Sequence, residues 1–444
     1  MLDPYPVPAF TVPSQATVSI PGSKSITNRA LLLAALAQGN TRLENCLFSR
    51  DTEVMVNALN KLGIASISEP SSKRIEVQGA GGNIPNRKAA INVGNSGTSA
   101  RFLTAMLAAC PDGDFILDGD GAMRKRPIQK LADTLASLGC QIDTTNGYFP
   151  IRIRPTGLAG GLAEVDATES SQFVSALLMA APMAKEPLEV RLSNPSIRRG
   201  YIDMSLAMME QFGVPTGNLE THSDRYRMSP QAYHAPTDVY SVEGDASAAS
   251  YFIALPFAVG GSIAIEGVSK NPLQGDIAFA DLAASSGAHL HWGSNGLTVS
   301  LPENVSPLQF SPLGSDYYAF SDTFMTGAAL APLANGPTII EGIGHTRHQE
   351  CDRITAMADG LSQIGQSTQD TESTLTVEPR PLQTATIETY EDHRIAMSFA
   401  ILGSHDALKS GQSWMKIKDP LCCRKTFPDF FEVLESARQQ SLES

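Results

Sequence analysis

Residues 131–142 read LADTLASLGCQI, an amphipathic helical pattern that ends at a glycine and continues into a strand-like segment. The pattern recurs four times, as VNALNKLGIAS (56–66), LAMMEQFGVP (206–215), ADLAASSGAHLHW (280–292) and MADGLSQIGQST (357–368). Glycine after the last apolar position of a helix is a common stop signal, because it adopts the left-handed backbone conformation at little cost. The five stop glycines are 74 to 78 residues apart, at Gly63, Gly139, Gly213, Gly287 and Gly365. The chain is therefore predicted to be built from repeats.

A second set of helices lies between these and is apolar on nearly all sides. Its members include SARFLTAMLAA, QFVSALLMAA, ASAASYFIAL, TFMTGAALAPLA and RIAMSFAIL. Each follows a polar capping residue, and the predicted starts are Ser23, Asn95, Ser170, Asp245, Ser321 and Asp392. Helices of this kind must be buried, and short β-like segments such as TRLENC, FILDG and TIIEGI separate them. Six such units in 444 residues predict an α/β protein of two domains with three units each.

The composition narrows the class of ligand. The formal net charge is −13, so neither nucleic acid nor an anionic membrane surface is expected as a partner. No cysteine or histidine cluster has the spacing of metal ligands, and no basic stretch followed by an apolar run suggests a secretory signal. We therefore expect a cytoplasmic protein that acts on small molecules without a bound metal.

Unusual polar residues gather at the predicted loop–helix junctions, where free N–H groups can bind anions. Seven are cations: Lys24, Arg29, Arg101, Arg126, Arg353, Arg394 and Lys425. A single arginine of this kind is more often a surface charge, but seven at equivalent junctions predict a basic cleft for a substrate with several phosphate or carboxylate groups. Neither a Walker pattern nor a strand-linked G-x-G-x-x-G is present, which removes the main support for nucleotide binding. The acid–base candidates at the same junctions, some of which could equally be helix caps, are Lys24, Asp322, Glu350, Asp392 and His393.

The junction motifs also resemble a known family. The segments PGSKSITNRALLLAALA, GNSGTSARF, KRPI, SSQF, EGDASAASYF, SDTFMT, QECDRI, YEDHRIAMSF and KTFPDFF occur in the order found in the EPSP synthase family of enolpyruvyl transferases. The resemblance covers nearly the whole chain and implies an inside-out α/β barrel with two similar domains of three βαβαββ-type repeats. The implied domains are residues 1–20 with 243–444, and residues 21–242, with the site in the cleft between them. The implied reaction transfers the enolpyruvyl group of phosphoenolpyruvate to the 5-hydroxyl of shikimate 3-phosphate through a tetrahedral intermediate, with no metal or organic cofactor. The resemblance also implies a monomer that serves aromatic amino-acid biosynthesis.

The resemblance also implies roles for individual residues. The phosphoenolpyruvate site is expected to contain Lys24, Gly97, Arg126, Gln172, Arg353, Arg394 and Lys425. The shikimate 3-phosphate site is expected to contain Lys24, Ser25, Arg29, Ser170, Ser171, Gln172, Arg198, Tyr201, Asp322 and Gln349. The proton-transfer candidates are Lys24, Asp322 and Glu350, and Asp322 is expected to take the proton of the acceptor hydroxyl. Gly97 matches the glycine that leaves room for glyphosate in sensitive members, so inhibition by glyphosate is expected.

The chain departs from the family pattern on the acceptor side. Gln349 stands where the family usually has lysine, His345 where many members have asparagine, and Arg198 where a serine is common. We hypothesise that Arg198 compensates for the cation missing at Gln349. These changes leave open an enolpyruvyl transferase that acts on another phosphorylated acceptor in secondary metabolism. A UDP-N-acetylglucosamine enolpyruvyl transferase is disfavoured because the loop GDGAMRKRP lacks a cysteine, and a binding protein without chemistry is disfavoured because the proton-transfer candidates remain.

Overall fold

The computed structural model describes residues 1–166, 170–194, 199–216, 224–237, 239–301 and 310–444. The chain divides into two compact units. The first comprises Met1–Pro21 and Glu243–Ser444 and is called the terminal unit, and the second comprises Gly22–Val242 and is called the central unit. No helix within these described ranges is long and apolar enough to cross a membrane.

Among its described residues, the central unit has six α-helices that alternate between buried and amphipathic, as predicted. They are α1 (Lys24–Leu36), α2 (Arg50–Lys61), α3 (Gly97–Ala108), α4 (Gln129–Ser137), α5 (Gln172–Ala180) and α6 (Gly200–Gln211). The buried helix α3 packs against both α1 and α5, so the three buried helices form the centre of the unit.

Three sheets surround these helices, and each joins one parallel strand pair to antiparallel neighbours. The first sheet has the strand order Tyr240–Ser241, Asn40–Glu44, Arg74–Gln78 and Ser66–Glu69. The second has the order Lys88–Asn92, Asp114–Asp118, Tyr148–Arg154 and Gln141–Thr145. The third has the order Gly161–Val165, Leu188–Leu192 and Arg225–Met228. In each sheet the first pair is parallel and the others are antiparallel, which is the repeated unit that the sequence pattern indicates. Two short strands, Ala37–Gln38 and Tyr233–His234, pair separately.

The terminal unit repeats this plan. Its helices are α7 (Ala246–Val259), α8 (Ala278–Ser285), α9 (Phe324–Leu330), α10 (Arg353–Gln363), α11 (His393–Gly403) and α12 (Phe430–Glu443). One sheet has the strand order Ser14–Ser19, Gly261–Glu266, Gly296–Ser300 and His289–Trp292. Another has the order Ser315–Asp316, Thr338–Glu341, Leu375–Glu378 and Ser367–Asp370. A further sheet has the order Tyr5–Pro6, Met415–Ile417 and Ala385–Ile387. The buried helices α7, α9 and α11 pack on one another and form the core of the unit with the inward faces of these strands.

The five predicted stop glycines all have left-handed backbone conformations, with φ between 79° and 115°. After α2, for example, the N–H of Gly63 donates to Asn60 O at 3.0 Å and the N–H of Ile64 donates to Leu59 O at 3.0 Å. This pair of hydrogen bonds is the Schellman motif, which satisfies carbonyl groups at the end of a helix. The same pair closes α4, α6, α8 and α10. The predicted helix stops are therefore confirmed.

Three of the six predicted helix starts are one or two residues too early. Ser23, Asp245 and Asp392 cap their helices as predicted, whereas the caps of α3, α5 and α9 are Ser96, Ser171 and Thr323. The largest shift is before α9, where residues 318–323 form a separate 3-10 helix. Phe320 in that turn has φ −132° and ψ 42°, which are not helical values, so the α-helix begins only afterwards.

Candidate active site

Lys24 lies where the first turns of three helices of the central unit come together. Its Nζ is 3.7 Å from the carboxylate of Asp51 in α2, and the hydroxyl of Ser99 in α3 donates to Asp51 O at 3.4 Å. The chain enters α1 through Gly22, where a Cβ atom would lie 1.8 Å from the carbonyl oxygen of Asn45. Only glycine fits at that close approach, so the backbone that presents Lys24 is fixed in place.

Arg29 is buried and makes a dense set of hydrogen bonds within the central unit. Its acceptors are Ser205 Oγ (2.8 Å), Ser25 O (3.0 Å), Tyr201 O (3.2 Å) and Ser175 Oγ (3.4 Å). The guanidinium also lies over the rings of Phe102 and Tyr201, at 5.1 Å and 5.6 Å from their centroids. Burial lowers the pKa of Arg29 to about 10, so the group is still a cation at neutral pH. Four of the five N–H groups of a guanidinium are thus engaged by the protein, which leaves at most one for a ligand beside Ser25.

Gly97 and Arg126 are in contact at the start of α3. A Cβ atom on Gly97 would lie 2.7 Å and 2.9 Å from the two Nη atoms of Arg126. The loop that carries Arg126 is held by Arg101, which is buried and donates to Pro127 O at 3.0 Å and Gly97 O at 3.4 Å. Arg101 was predicted to face a basic cleft, but its side chain instead fastens this loop to the first turn of α3.

The start of α5 brings the predicted acceptor-site residues of that segment together. The amide of Gln172 donates to Thr98 Oγ1 at 3.3 Å, and its backbone N–H donates to Ser170 Oγ at 3.2 Å. Ser170, Ser171 and Gln172 are all partly exposed, as is Tyr201 in the first turn of α6. Arg198 falls outside the described residues. Lys24, Arg29, Arg101 and Arg126 are called the cationic cluster of the central unit, and the carboxylate of Asp51 pairs with Lys24.

Asp322 of the terminal unit is held by two arginines at once. One carboxylate oxygen is 3.0 Å from Nη1 of Arg353 and the other is 3.0 Å from Nη2 of Arg394. Arg353 also donates from Nε to Asp392 Oδ2 at 2.7 Å, while Asp392 accepts the backbone N–H of Arg394 at 2.8 Å as the cap of α11. Burial acts to lower the pKa of Arg353, but the charges of Asp392 and Asp322 prevail and raise it above the usual value. The carboxylate of Asp322 is thus fixed in orientation.

The turn before α10 carries two further predicted site residues. Gln349 accepts a hydrogen bond from Arg353, and Glu350 forms an ion pair with Lys425. Arg347 anchors the turn, because it donates to both carboxylate oxygens of Asp352, at 2.9 Å and 2.7 Å, and to Asp370 at 2.8 Å.

These ion pairs bear on the predicted basic cleft. Three of the cations predicted to line it, Arg353, Arg394 and Lys425, pair with the carboxylates of Asp322, Glu350 and Asp392. Each of the three cations therefore has a partner of opposite charge within its own unit. Within the described part of the chain, no three histidine, cysteine or acidic side chains gather as a metal site would require.

Sequence reasoning missed Asp51 and Asp276, although a signal was present. Measured back from the stop glycine of each repeat, Asp51, Arg126, Tyr201, Asp276 and Arg353 lie 11 to 13 residues away. Three of the five were predicted from motifs, and an alignment of the repeats would have added the other two.

Three comparisons bear on the identity of these clusters. Residues 11–434 match the family model described as EPSP synthase (3-phosphoshikimate 1-carboxyvinyltransferase). A relative from Opitutus terrae named 3-phosphoshikimate 1-carboxyvinyltransferase is 44% identical over 99% of both chains, and one from Trichormus variabilis with the same name is 38% identical over 97% of this chain and 98% of its own. A solved structure of EPSP synthase from Acinetobacter baumannii has a TM-score of 0.78 and 25% identity, and covers 98% of this chain and 97% of its own. The likeness confirms the predicted fold class, and neither the family match nor these relatives favour a different acceptor.

Proposed function

Because the chain belongs to the EPSP synthase family, we propose a role in enolpyruvyl transfer for each of the clusters described above. The reaction moves the enolpyruvyl group of phosphoenolpyruvate to the 5-hydroxyl of shikimate 3-phosphate and releases phosphate, in the pathway to the aromatic amino acids. The central and terminal units are proposed to be the two domains of the family.

The fixed carboxylate of Asp322 is the observation that carries the proposed mechanism. The acceptor hydroxyl is a weak nucleophile, so a carboxylate must take its proton as the new C–O bond forms. Asp322 is suited to this role because Arg353 and Arg394 orient both of its oxygens. A guanidinium has five donors, and Arg353 directs four of them at Asp392, Asp322 and Gln349, so it has at most one N–H for phosphoenolpyruvate in addition to what Arg394 offers.

Glu350 is proposed to deliver the proton to the methylene carbon of phosphoenolpyruvate. Its ion pair with Lys425 places an ammonium group beside the carboxyl group, and this ammonium group can resupply the proton that Glu350 gives away. Lys24 is the other candidate, but its pairing with Asp51 and its position in a cationic cluster suit it better to binding an anion. Both proposed proton-transfer residues, Asp322 and Glu350, therefore belong to the terminal unit.

The cationic cluster of the central unit is proposed to hold the substrate anions. Lys24, Gly97, Arg126 and Gln172 would contact phosphoenolpyruvate, together with Arg353, Arg394 and Lys425. The proposed shikimate 3-phosphate contacts are Lys24, Ser25, Ser170, Ser171, Gln172, Arg198, Tyr201, Asp322 and Gln349. Arg29 is proposed to position Ser25 and Tyr201 and to offer the ligand at most one N–H. The compensation of Gln349 by Arg198 remains a proposal, and an unchanged KM for shikimate 3-phosphate in Arg198→Ala would contradict it.

The proposed proton-transfer roles can be tested with isosteric variants. Asp322→Asn and Glu350→Gln are each expected to lower kcat by about 10²–10⁴-fold, the usual contribution of a general acid or base. Phosphate release would be measured with saturating substrates, and thermal unfolding would show that the variants are folded. Asp281→Asn and Glu341→Gln serve as matched controls, because both side chains are exposed in the same unit. A kcat within threefold of wild type in either test variant would remove that residue from the mechanism.

Incorporation of solvent deuterium separates the two roles. Protonation of the methylene carbon in D2O labels the transferred group, so Glu350→Gln should lose labelling of recovered phosphoenolpyruvate. If labelling persists in Glu350→Gln and disappears in Lys24→Met, then Lys24 is the acid.

We also propose that the protein works as a cytoplasmic monomer with no nucleic-acid or membrane partner. All six cysteines are unpaired, and thiols of this kind suit a reducing compartment. Light scattering after size-exclusion chromatography would test the monomer.

A further inference from the structure

Asp276 is an acidic residue that has no role in the proposed mechanism, although it lies near Asp322, which does have one. The residue sits in the 3-10 helix Gly275–Ile277, which packs against the 3-10 helix Tyr318–Thr323 that carries Asp322. The hydroxyl of Ser247, in the first turn of α7, donates a hydrogen bond to its carboxylate.

The backbone before Asp276 is fixed at the start of α7. The side chain of Gln274 is buried and donates to Gly244 O at 2.7 Å, while its oxygen accepts the N–H of Ala246 at 3.1 Å. The carboxylate of Glu243 accepts the N–H of Leu273 at 3.0 Å. Asp276 is therefore held on a rigid segment, which is what a residue that sets the position of another group requires.

The internal repeat places Asp276 in the same series as four residues already assigned to the two clusters. Asp51, Arg126, Tyr201 and Arg353 lie 12 or 13 residues before the stop glycines of their repeats, and Asp276 lies 11 residues before Gly287. Each of these residues is near the start of an amphipathic helix. The position is thus one at which the repeat brings a polar or charged side chain to a helix start, and at Asp51 and Arg353 that side chain pairs with a proposed site residue.

The charges around Asp276 come from three elements. Burial and the nearby carboxylate of Asp322 raise the pKa of Asp276 to about 7, whereas Arg394 of α11 and the hydroxyl of Ser247 act to lower it. Asp245, the cap of α7, is a further carboxylate that raises it. The positive charge of Arg394, which pairs directly with Asp322, therefore also acts on Asp276.

We propose that Asp276 is a positioning residue that shares Arg394 with Asp322 and thereby sets how strongly Arg394 holds anionic substrate. When Asp276 is ionised, part of the positive charge of Arg394 is balanced by it, and the pull on the phosphoenolpyruvate anion is weaker. When Asp276 is protonated, Arg394 binds the anion more strongly while Asp322 keeps its arginine contacts. This inference rests on the proposed role of Arg394 as a phosphoenolpyruvate ligand.

The test compares Asp276→Asn with wild type at pH 6 and pH 8.5. The variant keeps the shape of the side chain and removes its charge, so its KM for phosphoenolpyruvate at pH 8.5 should be about 3–10-fold lower than that of wild type, with kcat within about threefold. At pH 6, where wild-type Asp276 is largely protonated, the two KM values should converge. Titration of phosphoenolpyruvate itself affects both proteins alike and cancels in the ratio. Asp281→Asn, an exposed carboxylate in α8, should match wild type at both pH values.

A second variant keeps the proposal testable if Asp276→Asn folds poorly. Ser247→Ala removes a hydrogen bond that favours the ionised form of Asp276, so the pH at which KM begins to rise should move upward by about 0.5–1 unit. Equal KM values for wild type and Asp276→Asn at pH 8.5, or a ratio that does not change with pH, would overturn the proposal. Arg394→Gln separates the two levels of inference. An unchanged KM for phosphoenolpyruvate in Arg394→Gln refutes the proposed ligand role of Arg394. If that KM is raised in Arg394→Gln but Asp276→Asn has no effect, only the positioning role of Asp276 is refuted.

Discussion

Gly97 and Arg126 are packed so closely that no side chain fits between them. A Cβ atom on Gly97 would come within 3.0 Å of both Nη atoms of Arg126 and of the carbon that joins them. Contacts this short are not tolerated, so any larger residue at position 97 must displace the guanidinium. The position of a proposed phosphoenolpyruvate ligand is thus set by the absence of a side chain at the start of α3.

Gly97→Ala is therefore expected to weaken phosphoenolpyruvate binding. We predict that KM for phosphoenolpyruvate rises about tenfold, equivalent to about 1.4 kcal/mol, with a smaller change in KM for shikimate 3-phosphate. Gly121→Ala is the matched control, because Gly121 lies in the loop that carries Arg126 and a Cβ atom there has no neighbour within 4 Å. Steady-state kinetics would measure KM for phosphoenolpyruvate in both variants. Equal values would show that Arg126 can move aside without weakening phosphoenolpyruvate binding.

Glyphosate should inhibit the wild-type protein, because Gly97 matches the glycine of the glyphosate-sensitive members of the family. Alanine at position 97 is expected to raise the inhibition constant together with KM for phosphoenolpyruvate. Competition kinetics with phosphoenolpyruvate as the varied substrate would measure both constants. A wild-type inhibition constant in the millimolar range would contradict this expectation and would point to the altered residue Gln349 as a cause.

The buried hydrogen bonds of Arg29 lead to a prediction on stability. Arg29→Lys keeps the charge but replaces a planar fork of five donors with an ammonium group that has three, so the four acceptors of Arg29 cannot all keep their hydrogen bonds to this residue. Broken buried polar networks of this kind cost about 2–4 kcal/mol. Urea unfolding would measure the loss, and Arg42→Lys, an exposed arginine of the same unit, should show no measurable change. A stable Arg29→Lys protein with a raised KM for shikimate 3-phosphate would instead establish Arg29 as mainly a ligand.

The features that the sequence predicted well are those set by local chain chemistry. A stop such as Gly63 depends on a left-handed residue and two hydrogen bonds within six residues, so the local pattern contains all of the required information. The start of α9 cannot be predicted from the local pattern in the same way. Local capping signals favour Ser321, but the non-helical Phe320 interrupts the helix there. Helix starts are therefore less certain than helix stops wherever tertiary packing intervenes.

Charge partners were the least predictable feature. Lys24 and Asp51 are on different helices, and Arg353 and Asp392 are 39 residues apart in sequence, so no local pattern joins them. Sequence motifs identified the cations correctly as residues at helix starts but could not show that those of the terminal unit are balanced by carboxylates. The periodic offset from the stop glycines points to one such partner, Asp51 beside Lys24, because equivalent positions of a repeat occupy equivalent places in the fold.

The stop glycines allow conformational strain to be measured without a packing contribution. Gly287 has φ of 115°, and a Cβ atom there has no neighbour within 4 Å, so Gly287→Ala should cost about 1–2 kcal/mol through backbone strain alone. Gly336, in the same unit, also has open space but lies outside the left-handed region. Gly336→Ala should leave the thermal midpoint unchanged or raise it, because alanine restricts the unfolded chain. Equal midpoints for the two variants would show that the turn after α8 relaxes to a right-handed form.

Asp276 should also make stability depend on pH in a direction opposite to most carboxylates. Its pKa is about 7 in the folded protein against an ordinary value of 3.8, so between these values the folded state holds more protons than the unfolded state. Stability from this group is therefore present at acid pH and is lost as pH rises toward and through 7. Asp276→Asn removes this titration. The free energy of unfolding of the variant, measured relative to that of wild type, should therefore increase by about 2 kcal/mol between pH 5 and pH 8. One pKa unit corresponds to about 1.4 kcal/mol, and the expected change is set below the full shift because the group is only partly buried.

Urea unfolding of both proteins at several pH values would measure that difference, with Asp281→Asn expected to run parallel to wild type throughout. A constant difference between wild type and Asp276→Asn from pH 5 to pH 8 would mean that Asp276 is ionised across the whole range. The positive charge of Arg394 would then outweigh both burial and the repulsion from Asp322, and the sharing of Arg394 between the two carboxylates would no longer respond to pH.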